Sequence, residues 1–452
     1  MTNKPTSQYV SDISRDYAIY TCQNRGIPSI CDGLKDAQRK ALYVIKGIHE
    51  KIKTISLSGY MISSNLYLHG DASASETLSQ MAGLYTNNVP YLTGIGAFGT
   101  KVGPTDFGAP RYTYLKKNTV TEQLIYTDFD IIPMKDNYDG STQEPVHFLP
   151  LIPLSLLNGI SGIAVGWSTE ILPHSLEDII DATVKAIDGK PIEKLRPAYD
   201  YLNINVKSLG DNAWEFTGKV RFDGNTIWVL ELPPDLSLEN FKERLNQYED
   251  EEKIQTYIDR STKEINIEIR FKRGVINKWT EDQAIDFLKL RSRKTERFVV
   301  LDWDNNSIKQ YDTAEQIIEQ FVEWRLRFYN RRYEKLLADV TYERAYHLAF
   351  IECHRNGLPA FLPGAQTKKS IVDEITRLTA HLGVVDDDII NRITSLPSYR
   401  WAKDSHDESV KTIDKLNADI TNYTDILGDE DKRRAIYKRE VLQLKKLPKV
   451  IR

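Results

Sequence analysis

The spacing of apolar residues divides the chain into three textures. At the start, Ile13, Tyr17 and Tyr20 recur at helical intervals ahead of a break at Gly26 and Pro28. Residues 37–48 predict a second helix, with Arg39 and Lys40 near its start. Asp71 is placed to cap a third over 72–84, with Leu78, Met81 and Ala82 inside. Short helices with a turn before a capped helix suit a helix-turn-helix or winged-helix module. From residue 176 the pattern turns mixed. Residues 213–231 alternate in part around Phe222-Asp223-Gly224-Asn225, a hairpin signal, and residues 264–271 (EINIEIRF) alternate strictly.

From residue 312 the texture changes again. Residues 313–356 contain no Gly or Pro, and Val322, Leu326, Tyr329, Tyr333, Leu336 and Val340 step by 4, 3, 4, 3 and 4. Residues 398–427 lack both as well, with Ile413, Leu416, Ile420, Tyr423 and Leu427 stepping by 3, 4, 3 and 4. Two heptad-like seams read either as an antiparallel arm or as two separate core helices. Between them, Gly357, Pro359, Pro363, Gly364, Gly383 and Pro397 punctuate a stretch of short helices. The expected architecture is α+β and multidomain: a winged-helix-type domain over 1–175, a mixed α/β domain over 176–311, and a long arm over 312–452 with a small helical head near 357–397.

Composition narrows the class. With 452 residues and 41% hydrophobic positions the chain can fill several cores, which excludes wholesale disorder. Cys22, Cys31 and Cys353 are too few and too scattered for a disulfide framework or a zinc site. The most apolar run, 147–167, is long enough to span a bilayer but holds Pro150, Pro153, Asn158, Gly159, Gly162 and Gly166. It reads as buried strands and a tight turn. The N-terminus shows no apolar leader, so a soluble, cytoplasmic chain with no membrane partner is expected. The net charge of −4 argues mildly against a polyanion binder, but it is unevenly spread. Residues 1–120 hold 13 Lys/Arg against 8 Asp/Glu, a balance of +5, so the remainder sums to −9. Any nucleic-acid face should lie near the N-terminus.

Three clusters there bear chemistry. Residues 94–117 (GIGAFGTKVGPTDFGAPRYTYLKK) set Lys101, Arg111, Lys116 and Lys117 in Gly-rich backbone around Tyr112. A phenol attacks phosphorus only when its proton is removed and the developing charge is stabilised, and an adjacent arginine can clamp the non-bridging oxygens. Among 24 tyrosines, one Arg-Tyr pair means little by itself. His69-Gly70-Asp71 at a helix start can meet phosphate, or be an ordinary cap beside a surface histidine. Arg25, Lys35, Arg39 and Lys40 surround the Asp32-Gly33-Leu34 turn and suit either phosphate contacts or a solvated face.

The order of the clusters says more than any one of them. Residues 24–45 (NRGIPSICDGLKDAQRKALYVI) come first, then His69-Gly70-Asp71, residues 94–100 (GIGAFGT) and Ala109-Pro110-Arg111-Tyr112. Asn137-Tyr138-Asp139-Gly140, residues 157–166 (LNGISGIAVG) and Ile426-Leu427-Gly428 follow. This succession resembles the DNA breakage-reunion core of type IIA topoisomerases, the gyrase A-like family, over nearly the whole chain. The Pro-Arg-Tyr form and Gly166-Trp167-Ser168 look eukaryotic, whereas 158–165 looks bacterial. Such a mixture is most similar to the medium subunit of T-even-type phage topoisomerases.

The resemblance implies a role for each matching residue. Tyr112 would be the nucleophile that leaves a 5′-phosphotyrosine, Arg111 the transition-state arginine, and His69 a contact at the scissile region. Arg25, Lys35, Arg39, Lys40, Lys101, Lys116 and Lys117 would touch the DNA backbone, and Ile163 would wedge between base pairs. The middle domain would be the family's tower. The arm and head would join two copies at an exit gate, making a homodimer. Mg²⁺ and ATP would be bound by a partner subunit carrying Toprim and ATPase domains, with no metal site in this chain. Asp128-Phe129-Asp130 and Asp302-Trp303-Asp304 resemble no Toprim segment and read as surface acids. Ala72 stands where bacterial enzymes usually carry a quinolone-contacting serine, with the acidic partner kept as Glu76, which implies a weak drug response. Only 24 residues follow Gly428, so relaxation and decatenation are expected rather than DNA wrapping and supercoiling. Rolling-circle nickases want His-hydrophobe-His and tyrosine recombinases His-x-x-Arg, and neither occurs. A coiled-coil scaffold or DNA clamp without chemistry is the remaining alternative.

Overall fold

The computed structural model describes residues 6–448 and Val450. Two compact units emerge, one built from residues up to Arg325 together with those from Lys438 on, the other from Leu326–Tyr437.

The first unit begins with α1 (Thr6–Thr21), which runs into a π-turn at Cys22–Gly26. Its stripe of Ile13 and Tyr17 exists as a helical face, but it is exposed rather than part of the core. There follow α2 (Asp36–Lys46), β1 (Ile52–Lys53), α3 (Thr54–Ser63), α4 (Asp71–Ala82), β2 (Leu92–Ile95) and β3 (Tyr114–Lys117). The three helices pack on one another and bury Leu42, Leu57, Met61 and Leu78. The strands form an antiparallel sheet in the order β1-β3-β2, with Lys53 opposite Tyr114 and Thr93 opposite Lys116. One helix was not expected, and one cap moves. Residues 54–63 are helical although their sequence, TISLSGYMIS, shows no clear stripe. Gly70, not Asp71, is the N-cap of α4; Asp71 opens the first turn and makes no side-chain capping bond. Its charge still suits the positive helix end.

Next come α5 (Thr119–Ile125), capped by Asn118, and the hairpin β4 (Met134–Asp136) with β5 (Gln143–Pro145). The apolar run then splits into two parts. Residues 147–157 are buried but irregular, with one 3₁₀ turn at Leu154–Leu156. The hairpin of β6 (Ile160–Ala164) and β7 (Trp167–Ile171) follows, and much of it is exposed. Prolines explain the difference, since Pro150 and Pro153 cannot donate to a ladder. Asp128, expected at the surface, is buried: Nη2 of the fully buried Arg325 donates to it, and Nε of Arg325 donates to the Pro150 carbonyl at 3.0 Å.

The mixed region holds α6 (Leu176–Ile187), β8 (Asn205–Gly210), β9 (Ala213–Thr217), β10 (Lys219–Asp223), β11 (Thr226–Glu231), α7 (Leu238–Asp250), β12 (Thr256–Asp259), β13 (Ile267–Arg270), α8 (Glu281–Leu288), β14 (Arg291–Thr295), β15 (Phe298–Leu301) and β16 (Ile308–Tyr311). Its main sheet runs β10-β11-β13-β12, all antiparallel, with the expected hairpin turning at Gly224. Alternate residues Ile227, Val229, Ile267 and Ile269 share a core with Phe241 and Leu245 of α7 and Leu288 of α8.

The second unit is helical. The divisions fall within α9 (Ala314–Arg355), an unbroken helix of 42 residues, and within the last helix. After it come α10 (Leu358–Phe361), α11 (Lys368–Thr379), α12 (Asp387–Thr394), α13 (Lys403–Gly428) and α14 (Glu430–Gln443). Tyr333 of α9 lies 5.7 Å from Tyr423 of α13 between ring centroids, and Nη1 of Arg344 donates to Oδ1 of Asn417 at 3.3 Å. Numbers rise along one helix as they fall along the other, so the two long helices pair antiparallel. The short helices bury Leu358, Ile375, Ile389 and Ile393 against Ala349 and Cys353 of α9. Among the described residues, no helix is long and apolar enough to cross a membrane.

Candidate functional site

Residues 96–113 join β2 to β3 and carry Arg111 and Tyr112. The loop needs its glycines. Gly96 and Gly99 have φ of 114° and 81°, and a Cβ at Gly99 would stand 2.2 Å from the Pro104 carbonyl oxygen. Residues 109–112 form a turn closed by the Tyr112 N–H donating to the Ala109 carbonyl at 2.9 Å. The first N–H groups of a helix have no partner inside it. Those of α3 find theirs in this loop: Thr54 N–H donates to the Thr113 carbonyl (3.0 Å) and Ile55 N–H to that of Pro110 (3.1 Å). Beneath, the buried Thr54 and Thr113 hydroxyls share a 2.8 Å hydrogen bond. Tyr112 is thus held on a fixed base while its side chain is 70% exposed. The Arg111 guanidinium lies 4.9 Å from the centre of its ring.

That latch is testable. Thr113→Val keeps the shape but leaves the buried Thr54 hydroxyl without its partner, which should cost about 1–3 kcal/mol. Thermal denaturation should show this loss, together with slower formation of any Tyr112 adduct. Wild-type stability and rate would show that the pair does not hold the loop.

The basic turn is built differently from a solvated face. Asp32, fully buried, accepts from Nε of Arg39 (2.7 Å), Nη2 of Arg39 (2.9 Å), the Leu34 N–H (3.1 Å) and the Phe148 N–H (3.0 Å). Nη2 of Arg39 also donates to the Leu34 carbonyl. Arg39 is therefore turned inward, a strut between the turn, the start of α2 and the 147–157 run. Lys40 bridges Asp36 (2.9 Å) and Glu144 (3.1 Å); burial opposes its charge, but the two carboxylates hold its ammonium above the usual range. Lys35 donates to the Ser161 carbonyl at 2.9 Å, and burial pulls its ammonium below the usual range. Lys117 reaches the Lys46 carbonyl and Glu122, and Lys101 bridges Glu231 and Glu264.

Arg25, Arg111 and Lys116 remain exposed. Nη2 of Arg25 lies 3.1 Å from Nδ1 of His69. Arginine only donates, so Nδ1 accepts and the proton of the neutral ring sits on Nε2. Burial, then the charges of Arg25 and Lys40, lower the His69 pKa against a smaller pull from Asp36. The structure thus brings Arg25 and His69 together as neighbouring donors at the start of α4.

The β6–β7 hairpin presents Ile163, 85% exposed, with Val165 and Trp167 exposed beside it. The turn passes through Gly166 at φ 78°. Its base rests on the basic turn through backbone contact. A Cβ on Gly26 would lie 2.8 Å from the Ile163 carbonyl oxygen, and one on Gly162 would lie 2.0 Å from that of Gly26. Sequence reasoning missed Val165 and Trp167. Their signal was the alternation through 163, 165 and 167, hidden in a run that looked uniformly buried.

Among the described residues, no group of three or more His, Cys, Asp or Glu side chains is placed to hold a metal ion. Tyr112 and His69 have Arg111 and Arg25 against them, donors that suit phosphate, and the nearby Asp36 and Asp71 belong to no group placed to hold Mg²⁺.

A family model for the A subunit of DNA gyrase/topoisomerase IV matches residues 25–442. Over 323 residues the chain is 31% identical to the mitochondrial DNA topoisomerase 2 of Dictyostelium discoideum, covering 69% of this chain and 25% of that protein. Over 403 residues it is 26% identical to the DNA topoisomerase medium subunit of Enterobacteria phage T4, covering 85% of this chain and 88% of that one. In fold it matches the DNA-binding, cleavage and re-ligation domain of Plasmodium falciparum topoisomerase II, with a TM-score of 0.83 at 24% identity, over 95% of this chain and 63% of that one. The chain spans about a quarter of the length of its eukaryotic relatives.

Proposed function

The chain belongs to the family of the DNA gyrase/topoisomerase IV A subunit, and from that membership we propose that it is the DNA-cleaving and rejoining subunit of an ATP-dependent type II topoisomerase that relaxes and decatenates DNA. The observation that carries the proposal is Tyr112: an exposed phenol on a latched loop, with an exposed guanidinium against its ring. The Tyr112 oxygen attacks a backbone phosphorus. The O–P bond forms as the bond to the 3′ oxygen breaks; the phenol gives up its proton and the 3′ oxygen gains one. Arg111 binds the non-bridging oxygens as their charge grows. The phosphodiester is conserved in the tyrosyl ester, so the reverse attack by the 3′-OH reseals the strand. Arg25, Nε2–H of His69 and Lys116 supply further phosphate contacts, whereas Lys35, Arg39, Lys40 and Lys117 support the surface from within.

The element order α2-β1-α3-α4-β2-loop-β3 supports a winged-helix reading, with Tyr112 on the loop entering the last strand. We read 176–311 as the tower, and the antiparallel α9–α13 pair with its short helices as the arm and head of a homodimer gate. Mg²⁺ in such enzymes neutralises charge at the scissile phosphate. We assign its ligands, and the ATP site, to Toprim and ATPase segments of a partner subunit. The polarity of the adduct tests the reading. After denaturant trapping, a 3′-labelled strand should be protein-bound and a 5′-labelled strand free; the opposite pattern would refute it.

Ile163 is assigned the wedge. Inserting an apolar side chain exchanges stacking, worth a few kcal/mol per step, for a bend. Ile163→Ala should leave the fold intact, because the side chain touches little, and should reduce bending of an end-labelled duplex read by energy transfer. Unchanged bending would assign Ile163 a different role.

A further inference from the structure

We propose that Lys101 is a positioning residue that ties the Tyr112 loop to the mixed α/β sheet, and not a contact to DNA. The proposal rests on the reading of Tyr112 as the nucleophile.

The loop has two attachments. Its base is latched to α3 through Thr54 and Ile55. Its tip is a closed turn in which Thr100 N–H donates to the Gly103 carbonyl (2.9 Å) and Gly103 N–H to the Thr100 hydroxyl (3.1 Å). From that tip Lys101 reaches Glu231, the last residue of β11, at 2.9 Å, and Glu264, between β12 and β13, at 2.5 Å. Val102 packs against the core of the sheet. Glu231 is itself fixed, for it is buried and accepts the Asn203 N–H at 2.8 Å.

Two features argue against a DNA contact. The Lys101 side chain is only 10% exposed. Its single positive charge faces two carboxylates, so an approaching phosphate would meet net negative charge. Burial opposes the ammonium charge, but Glu264 and Glu231 outweigh it and keep the group charged.

Between tip and base the two legs of the loop are zipped together. Gly108 N–H donates to the Ala97 carbonyl at 2.9 Å, and Phe98 pairs with Phe107 across the loop. A displacement of the sheet at Glu231 is therefore passed along a stiff loop to 109–112. Misplacing a reacting group by about 1 Å can cost about a hundredfold in rate. Lys101 thereby couples the position of the mixed sheet to that of Tyr112.

The test uses the full chain with its partner subunits, a labelled duplex and Mg²⁺. Lys101→Met is expected to slow single-turnover adduct formation by about ten- to a hundredfold. Duplex affinity and its dependence on salt should stay as in wild type, and Lys101→Arg should restore most of the rate. Lys101→Met leaves Glu231 buried and unpaired, so the double variant Lys101→Met with Glu231→Gln, which keeps an acceptor for Asn203, is made alongside and should show the same rate loss. A rate near wild type in the double variant overturns the proposal. So does a salt slope reduced by about one in Lys101→Met, the mark of a lost phosphate contact. Either result leaves the nucleophile reading standing, because wild type and Tyr112→Phe are run beside it; adducts persisting in Tyr112→Phe would defeat that reading instead.

Discussion

Tyr112→Phe should bind duplex DNA with wild-type affinity and wild-type salt dependence while forming no covalent adduct. Removing a nucleophile outright typically costs at least about 10⁴-fold in rate. The ring remains, so the packing of Arg111 over it survives, and only an exposed oxygen is lost. The loop is held by main-chain bonds to α3 and by the buried Thr54–Thr113 pair, none of which involves the phenol. Loss of chemistry without loss of binding therefore distinguishes a cleaving subunit from a DNA clamp that has no chemistry. Denaturant-trapped adducts, counted on a labelled strand beside a titration in rising salt, give both readings. Adducts surviving the substitution would place the nucleophile elsewhere, and a collapse in affinity would make Tyr112 a binding residue.

The parts of this site legible in the sequence were those whose meaning is local. Gly-rich backbone ahead of Arg111-Tyr112 marks a segment that could meet a phosphodiester, and its glycines fall where the loop needs positive φ or close approach. The two long segments without Gly or Pro correspond closely to α9 and α13. Charges were not legible in the same way. Lys40, Lys101 and Lys117 look alike in sequence whether they face solvent or a carboxylate. Their partners are decided by distant chain: Glu144 for Lys40, Glu231 and Glu264 for Lys101. A one-residue change of strand register would have turned Glu144 and Glu231 away. Apolar spacing misled in the opposite sense at α1, where Ile13 and Tyr17 keep a helical period yet stay exposed. Periodicity reports a shared face and says nothing of what covers it. Asp128 and Asp32 show the same limit for acids, since burial depends on the arginine that the fold delivers.

Asp32 gives the largest stability effect. Asp32→Ala removes one acceptor group from four donors at once, two of them on Arg39 and two on the main chain at Leu34 and Phe148. The Arg39 side chain is only 8% exposed, so its charge is left in the interior with only Asp36, 3.8 Å from Nη1, as a counterion. Breaking a buried ion pair from one side costs about 3–5 kcal/mol, and the two stranded N–H groups add to it. A urea titration followed by tryptophan fluorescence should show the midpoint for the first unit moving down by that free energy divided by the slope, with the slope unchanged. Removing both partners should cost less than removing Asp32 alone. Asp32→Ala with Arg39→Met leaves no buried charge, so a double-mutant cycle should show strong coupling. The same cycle separates scaffolding from DNA contact. If Arg39 reached phosphate, Arg39→Met alone would lower the salt slope of binding by about one. With Nε and Nη2 spent on Asp32 and the Leu34 carbonyl, and Nη1 facing Asp36, that slope should not move. Additive stabilities together with a reduced slope would place Arg39 on the DNA after all and make the inward geometry incidental. Coupled stabilities with an unmoved slope would mean that the most basic-looking turn of the chain serves DNA indirectly, by fixing the backbone that follows Arg25 and on which the Ile163 hairpin rests.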